Sequence, residues 1–127
     1  MLILKERTAD INRVIPIIVE GTHDVDTLRN IGFIGHIIKV NRGLALNVFS
    51  EMITRNFSEV ILLTDFDRKG KLIMQRLTDL LISYGCRVNR EFWEFIQKNY
   101  NIKSVEDLPW LLDNVVLNSE VSGRKEY

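Results

Sequence analysis

Short apolar runs alternate with longer segments of helical periodicity along most of this chain of 127 residues. Apolar runs of about four to eight residues are typical of buried strands, whereas apolar residues spaced three or four apart indicate one face of a helix. The predicted strands are Ile15–Val19, Ile37–Val40, Val60–Thr64 and Cys86–Asn89. The predicted helices are Leu4–Asn12, Asp24–Ile31, Leu44–Phe57, Lys71–Tyr84, Arg90–Tyr100 and Ser104–Val116.

This order of elements predicts an α/β fold. Strands that alternate with helices form a mostly parallel sheet with helices on both faces, so we expect a three-layer α/β/α, Rossmann-like domain with a four-stranded sheet. The strand order is not predicted. We divide the single domain into an N-terminal helix (1–14), a core (15–89), a C-terminal helical extension (90–117) and a tail (118–127). In the extension, we expect Asp107 to be the N-cap and Pro109 to lie in the first turn.

Composition and charge limit the classes of function. The formal net charge is zero, which argues against a general polyanion binder and requires any nucleic-acid site to be locally basic. No apolar run approaches the roughly 20 residues that span a bilayer, so we expect no membrane association. Cys86 is the only cysteine, which excludes an internal disulfide and a cysteine-rich zinc site. We therefore expect a cytoplasmic protein.

Carboxylates follow two of the predicted strands, at the point where each strand ends. Glu20 follows the first strand, and Asp65 and Asp67 follow the third. Because ligands of open α/β sheets bind beyond the carboxyl ends of the strands, we expect these three side chains to share one edge. Two like charges about 4 Å apart repel by about 4 kcal/mol at an effective dielectric near 20, so the cluster needs a proton, an arginine or a divalent cation. Oxygen-only ligands favour Mg²⁺ or Mn²⁺ over zinc.

The alternative interpretation is that the acids cap helices. Asp24 is predicted to cap the helix after the first strand, and Asp67 is an equally good cap for the helix after the third, with Asp65 solvated. The presence of Glu20 at a separate strand end favours the metal site.

Basic residues and glycines are predicted to lie at the same edge. Arg68 and Lys69 open a helix, where the helix dipole disfavours cations by about 0.3–1 kcal/mol each, so a phosphate bound beside this helix start explains them. Alternatively, these long side chains extend into water, and Asn41 to Gly43 form an ordinary turn. The predicted phosphate-binding residues are Arg42, Gly43, Arg68, Lys69 and Gly70.

Two motifs in the chain resemble those of the Toprim family, the catalytic domain of type IA and type II topoisomerases, bacterial-type primases and small nucleases. The resemblance is carried by Ile17–Gly21 (IIVEG), with Asp24 following, and by Leu62–Gly70 (LLTDFDRKG). The resemblance covers about Ile15 to Asn89. Within the family, these motifs look closest to those of the ribonuclease that matures 5S ribosomal RNA and of small stand-alone archaeal-type Toprim proteins.

The resemblance implies Glu20 as general acid/base or metal ligand, with Asp65 and Asp67 holding Mg²⁺. Topoisomerases often carry a further acid shortly after the second aspartate, whereas this chain has Lys69 and Lys71 there. This difference argues against a second metal.

Two functions follow from these residues. The first is Mg²⁺-dependent phosphodiester cleavage or phosphoryl transfer on RNA or DNA by a nuclease-like enzyme, in which Glu20 manages a proton and the basic residues position the backbone. The second is a non-catalytic nucleic-acid-binding or adaptor module with protein partners in a larger replication or RNA-processing complex. Phe92, Trp93 and Trp110 would serve a partner surface in the second case, although core packing is the simpler expectation for each.

Overall fold

The structure is a computed structural model that describes residues 1–40 and 43–115. Four strands alternate with helices in the predicted order. The strands are β1 (Ile17–Val19), β2 (Ile37–Lys39), β3 (Glu59–Leu62) and β4 (Arg87–Asn89). The helices are α1 (Leu2–Asn12), α2 (Thr22–Asn30), α3 (Leu46–Asn56), α4 (Arg68–Ser83) and α5 (Glu91–Asn99), followed by a 3-10 turn (Val105–Asp107). Residues 108–115 are helical.

The four strands form one parallel sheet in the order β2-β1-β3-β4. Ile18 at the centre of β1 pairs with Ile38 on one side and with Leu62 on the other. All three residues of β1 are fully buried, as expected for a central strand covered on both faces. The predicted α/β fold with a parallel four-stranded sheet is therefore confirmed.

Helices cover both faces of the sheet. Right-handed crossovers in this strand order place α2 on one face and both α3 and α4 on the other. Consistent with this, α3 packs against α4, while α2 packs against the 3-10 turn. The core between these layers is aliphatic and aromatic, so the sheet is a rigid platform for the residues that follow β1 and β3.

At three helix starts, the capping residues can be compared with the predictions. Helix α2 begins at Thr22, and Asp24 in its first turn accepts a hydrogen bond from the N–H of Gly21 (3.0 Å) instead of being the N-cap. Helix α4 begins at Arg68, three residues before the predicted segment Lys71–Tyr84, because Asp67 caps it, as the alternative interpretation of Asp67 predicted. Asp107 accepts a hydrogen bond from the N–H of Ser104 (3.2 Å), and Ser104, not Asp107, precedes the 3-10 turn.

The aromatic residues of the C-terminal region have different environments. Phe92 and Trp93 are buried in the core, as expected, whereas Trp110 is 62% exposed, so the expectation of core packing is wrong for Trp110.

The predicted helix end at Val116 and the predicted tail 118–127 lie outside the described residues, and the division of the chain at residues 14, 89 and 117 stays a prediction. None of the helices in residues 1–40 and 43–115 has the length and apolar character to cross a bilayer.

Candidate functional site

The candidate site lies where the carboxyl ends of β1 and β3 meet. The chain leaves β1 for β2 on one side and later returns to β3 on the other, so the crevice between β1 and β3 is the switch point at which open α/β sheets bind ligands. Glu20 directly follows β1, and Asp65 lies just beyond β3. The N–H of Asp65 donates a hydrogen bond to Oε2 of Glu20 (2.7 Å). The fold therefore brings these two residues into direct contact.

Glu20 is an acid held largely away from solvent, with only 7% of its surface exposed. Burial raises the pKa of the Glu20 carboxyl, because its charged form loses hydration. The hydrogen bond from the N–H of Asp65 opposes this rise in pKa, and the negative charges of Asp65, Asp67 and Asp24 add to it. The net result is a carboxyl whose pKa lies above its ordinary value.

Asp65 is half-buried, and burial raises its pKa as well. Its Oδ1 accepts a hydrogen bond from the N–H of Val105 (2.9 Å), which opposes the rise in pKa, as does a side-chain hydrogen bond with Glu20. The charges of Asp67 and Glu106 raise the pKa further, and the net shift is upward.

Asp24 is a fourth member of this acidic cluster, which we define as Glu20, Asp24, Asp65 and Asp67. It is 6% exposed, and burial followed by the charge of Asp65 raises its pKa. From the sequence, Asp24 was expected only as a helix cap and as part of the first motif of the family resemblance. Its hydrogen bond from Gly21 is a capping contact, but the electrostatic coupling to Asp65 also places it in the site.

The acidic cluster has no basic partner in the part of the chain that the structure describes. No lysine, arginine or histidine of that part forms an ion pair with any of the four acids. Negative charge that is buried without a counter-charge is unfavourable unless it is protonated or binds a cation. The all-oxygen donor set therefore fits a hard divalent cation such as Mg²⁺.

Three carboxylates of the cluster each have one oxygen bound to a backbone N–H: Oε2 of Glu20, Oδ1 of Asp65 and Oδ1 of Asp67. Within residues 1–40 and 43–115, no group of three or more acidic, histidine or cysteine side chains is arranged so that it could hold a metal ion in this conformation. Among the described residues, these backbone hydrogen bonds use one oxygen of each carboxylate and leave the other oxygen without a backbone donor. Cation binding therefore requires side-chain adjustment but no loss of the backbone hydrogen bonds.

The loop that carries Asp65 is anchored from beneath by residues that the sequence analysis did not assign to the site. Nε1 of Trp93 donates a hydrogen bond to the carbonyl of Thr64 (3.1 Å), and its ring stacks on Phe66 at 5.8 Å. The N–H of Phe66 donates to the carbonyl of Lys103 (2.9 Å). No local pattern could have indicated these contacts, because the partners are about 30 to 40 residues apart in sequence.

Gly70 brings helix α4 against the same loop. A Cβ atom at this position would overlap the carbonyl group of Asp65 and lie 2.9 Å from its Cα. The hydroxyl of Thr64 donates to the carbonyl of Gly70 (2.8 Å), and the N–H of Gly70 donates to Oδ1 of Asp67 (2.7 Å). Gly70 is therefore buried at a close backbone approach, and a phosphate at its N–H would have to displace Asp67.

The other predicted phosphate-binding residues differ in position. Lys69 is exposed on α4 and lines a cavity together with Glu20, whereas Arg68 is exposed at the first position of α4. Gly43 lines a larger cavity of about 750 Å³ on the β2 side of Glu20. Arg42 lies outside the described residues.

Comparisons with known proteins give similarities over the same region. The family model for the Toprim domain matches residues 15–91. A UPF0292 protein from Thermoplasma volcanium is 45% identical over 98 residues, which cover 77% of this chain and 82% of that protein. A UPF0292 protein from Thermococcus kodakarensis is 40% identical over 106 residues, covering 82% of this chain and 78% of that protein.

A solved structure of a protein from Aquifex aeolicus has the same fold. It matches with a TM-score of 0.72 and 28% sequence identity, over 84% of this chain and 96% of that chain. The family match extends over more than half of the chain and includes the acids at the ends of β1 and β3. The chain therefore belongs to the Toprim domain family, whose domains are associated with metal-dependent functions on nucleic acid.

Proposed function

We propose that this protein is a Mg²⁺-dependent nuclease that cleaves phosphodiester bonds of RNA or DNA. The observation that carries the proposal is the acidic cluster at the switch point of the sheet. The carboxyl pKa values of Glu20, Asp24 and Asp65 are raised by burial, and no basic residue of the described chain neutralises them. A cytoplasmic location fits this proposal, because Cys86 is a free thiol.

The proposed metal ligands are Glu20, Asp65 and Asp67. A bound Mg²⁺ ion would supply positive charge that stabilises the charge developing on the phosphate oxygens, with Mn²⁺ as a substitute. The raised pKa of Glu20 makes its carboxylate a stronger proton acceptor than an ordinary glutamate, which suits a role as general acid or base. Glu20 lines the two cavities beside it, and either cavity would give an attacking or leaving oxygen access to this residue.

Basic side chains near the acidic cluster would position the substrate. Lys69 and Glu20 line the same cavity, and Arg68 precedes Lys69 at the start of α4. Arg42 and Gly43 follow β2 in the sequence and are proposed to contact the backbone from the other side. Such contacts fix the register of the phosphate backbone without reading its sequence.

The proposal is tested by cleavage of structured RNA and of single-stranded DNA with Mg²⁺ or Mn²⁺. Glu20→Gln and Asp65→Asn each retain an oxygen for the backbone hydrogen bond but lose the charge, so both should abolish cleavage while the fold persists. Asp107→Asn is the matched control, because Asp107 also accepts backbone N–H groups but lies outside the acidic cluster. Equal activity of all four proteins would contradict the proposal.

The second candidate is a non-catalytic nucleic-acid-binding or adaptor module. The observation that favours it is the lack of a ready metal-binding arrangement among the described residues, since each carboxylate already binds a backbone N–H. This candidate predicts that oligonucleotide binding is unchanged by Mg²⁺ and that no strand is cut. Calorimetric titration of the wild type and Asp67→Asn with Mg²⁺ distinguishes the two, because only the first predicts heat that Asp67→Asn removes.

A further inference from the structure

A second, smaller cavity of about 250 Å³ lies beside Glu20, between the end of β2 and helix α4. Its apolar lining consists of Val40, Leu44, Leu46 and Ile73. Lys69 and Arg76 provide the positive charge of the lining. We call this site the side cavity. The side cavity thus combines apolar residues with two cations and the carboxylate of Glu20. Such a lining suits a ligand that is apolar in one part and negatively charged in another.

The two cations of the side cavity lie on one face of α4. Lys69, Ile73 and Arg76 are spaced four and three residues apart, so they follow one another along the helix surface. Neither cation makes a hydrogen bond or ion pair with any residue in the described ranges. In contrast, Arg87 and Arg90 each bind a glutamate. The positive charge beside the side cavity is therefore available to an anion from solution.

Leu44 is half-buried in the turn before α3, but it lies outside the hydrophobic core formed by the described residues. Val40, Leu46 and Ile73 pack against that core as well as lining the side cavity. The side chain of Leu44 therefore contributes to the side cavity without a role in the core, and it can be changed with little effect on folding.

We propose that the side cavity binds one nucleobase of a single-stranded segment next to the scissile phosphate, with Lys69 and Arg76 on the phosphates that flank this base. The inference rests on the proposed function. It specifies the substrate as a strand with an unpaired base at this position. A cavity of this size is below the roughly 300–1,000 Å³ that drug-sized ligands occupy, so it suits a single base.

The same geometry disfavours duplex. A base in a helix is stacked and paired, and inserting it into the side cavity requires flipping it out at a cost of a few kcal/mol. Because the base-contacting surface is aliphatic, it offers few hydrogen-bonding groups to distinguish one base from another. We therefore expect preference for single strands with little preference for sequence.

The test measures fluorescence anisotropy of labelled DNA and RNA strands of roughly ten nucleotides in EDTA, so that no strand is cut. Arg76→Gln should weaken binding and reduce the slope of log K against log salt by about 0.7, the value for one phosphate contact on a single strand. Arg13→Gln is the control, because it removes one positive charge before β1, at the opposite edge of the sheet.

A fully abasic strand of the same length isolates the contribution of the base. The wild type should bind the normal strand about tenfold more tightly than the abasic strand, as expected for burial of apolar surface. Leu44→Ser should remove most of this difference and leave affinity for the abasic strand unchanged. Equal affinity for normal and abasic strands, or for single strands and duplex, would overturn the inference.

These outcomes are separable from those of the proposed function. If the protein cleaves with Mg²⁺ but binds normal and abasic strands equally, the side-cavity subsite is rejected and the proposed nuclease activity is retained. We call the difference in affinity between the two strands the base effect. A base effect that requires Leu44 and a salt dependence that requires Arg76, with no cleavage under any metal condition, would support the subsite and reject the nuclease.

Discussion

Neutralising Asp65 should stabilise the metal-free protein. In most proteins, a substitution at a half-buried polar residue is destabilising, because a hydrogen-bonded group is lost. Asp65→Asn is different, since the amide oxygen can still accept the hydrogen bond from the N–H of Val105. What the substitution removes is the charge that repels Glu20, Asp24 and Asp67.

The magnitude follows from the electrostatics of the acidic cluster. Full repulsion between two carboxylates about 4 Å apart is about 4 kcal/mol at an effective dielectric of 20. Asp65 is only half-buried, so solvent screens part of this repulsion. We therefore expect a gain of about 1–2 kcal/mol, a fraction of the full repulsion. For a chain of this size the gain corresponds to a rise in Tm of roughly 3–8 °C.

The gain should depend on pH. The pKa values of Glu20, Asp24 and Asp65 are higher in the folded protein than their ordinary values. At pH values in the window between the ordinary pKa and the raised pKa, the folded state therefore binds more protons than the unfolded state. The free energy of unfolding of the wild type should therefore fall as pH rises through this window. The advantage of Asp65→Asn should be small at pH values below the ordinary pKa of these acids and largest at pH values above their raised pKa values.

The assay is thermal unfolding in EDTA across this pH range, followed by the same series with Mg²⁺. Mg²⁺ should stabilise the wild type but not Asp65→Asn, so the order of the two proteins should reverse. Asp107→Asn should stay within about 0.5 kcal/mol of the wild type throughout. A lower Tm for Asp65→Asn in EDTA at every pH, or a wild-type Tm that increases with pH, would refute the electrostatic reasoning.

Three further predictions concern the supports of the site and its metal. Gly70→Ala should destabilise the protein by about 1–3 kcal/mol in urea unfolding, because the new Cβ overlaps the carbonyl of Asp65; an unchanged midpoint would contradict the close approach. Trp93→Phe keeps an aromatic ring against Phe66 but leaves the buried carbonyl of Thr64 without its donor, which should cost about 1–3 kcal/mol and weaken Mg²⁺ binding in calorimetry. Full Mg²⁺ affinity in Trp93→Phe would show that this hydrogen bond does not position the loop. Mg²⁺ at about 100 times its Kd should add about 2.7 kcal/mol to the unfolding free energy of the wild type, and no shift in Tm would exclude binding to the folded state.

Much of the architecture was predictable from local patterns. Apolar runs and helical spacing depend only on neighbouring residues, so they indicated the α/β fold and the four strands correctly. Parallel strands end at one edge, so the positions of Glu20 directly after β1 and of Asp65 shortly after β3 already placed them at the same edge. The predicted segment of α4 began three residues late, because the apolar stripe starts only at Ile73, whereas the cap at Asp67 begins the helix.

The sequence alone thus determined which residues follow the strands, and the tertiary structure decided which of them meet. Local periodicity contains no information on strand order, and the order β2-β1-β3-β4 is what makes Glu20 and Asp65 neighbours. The same holds for Trp93 and Val105, which reach the Asp65 loop only because the C-terminal segment packs beneath it. Contacts between distant segments depend on how whole layers pack, and no short stretch of the chain specifies that packing.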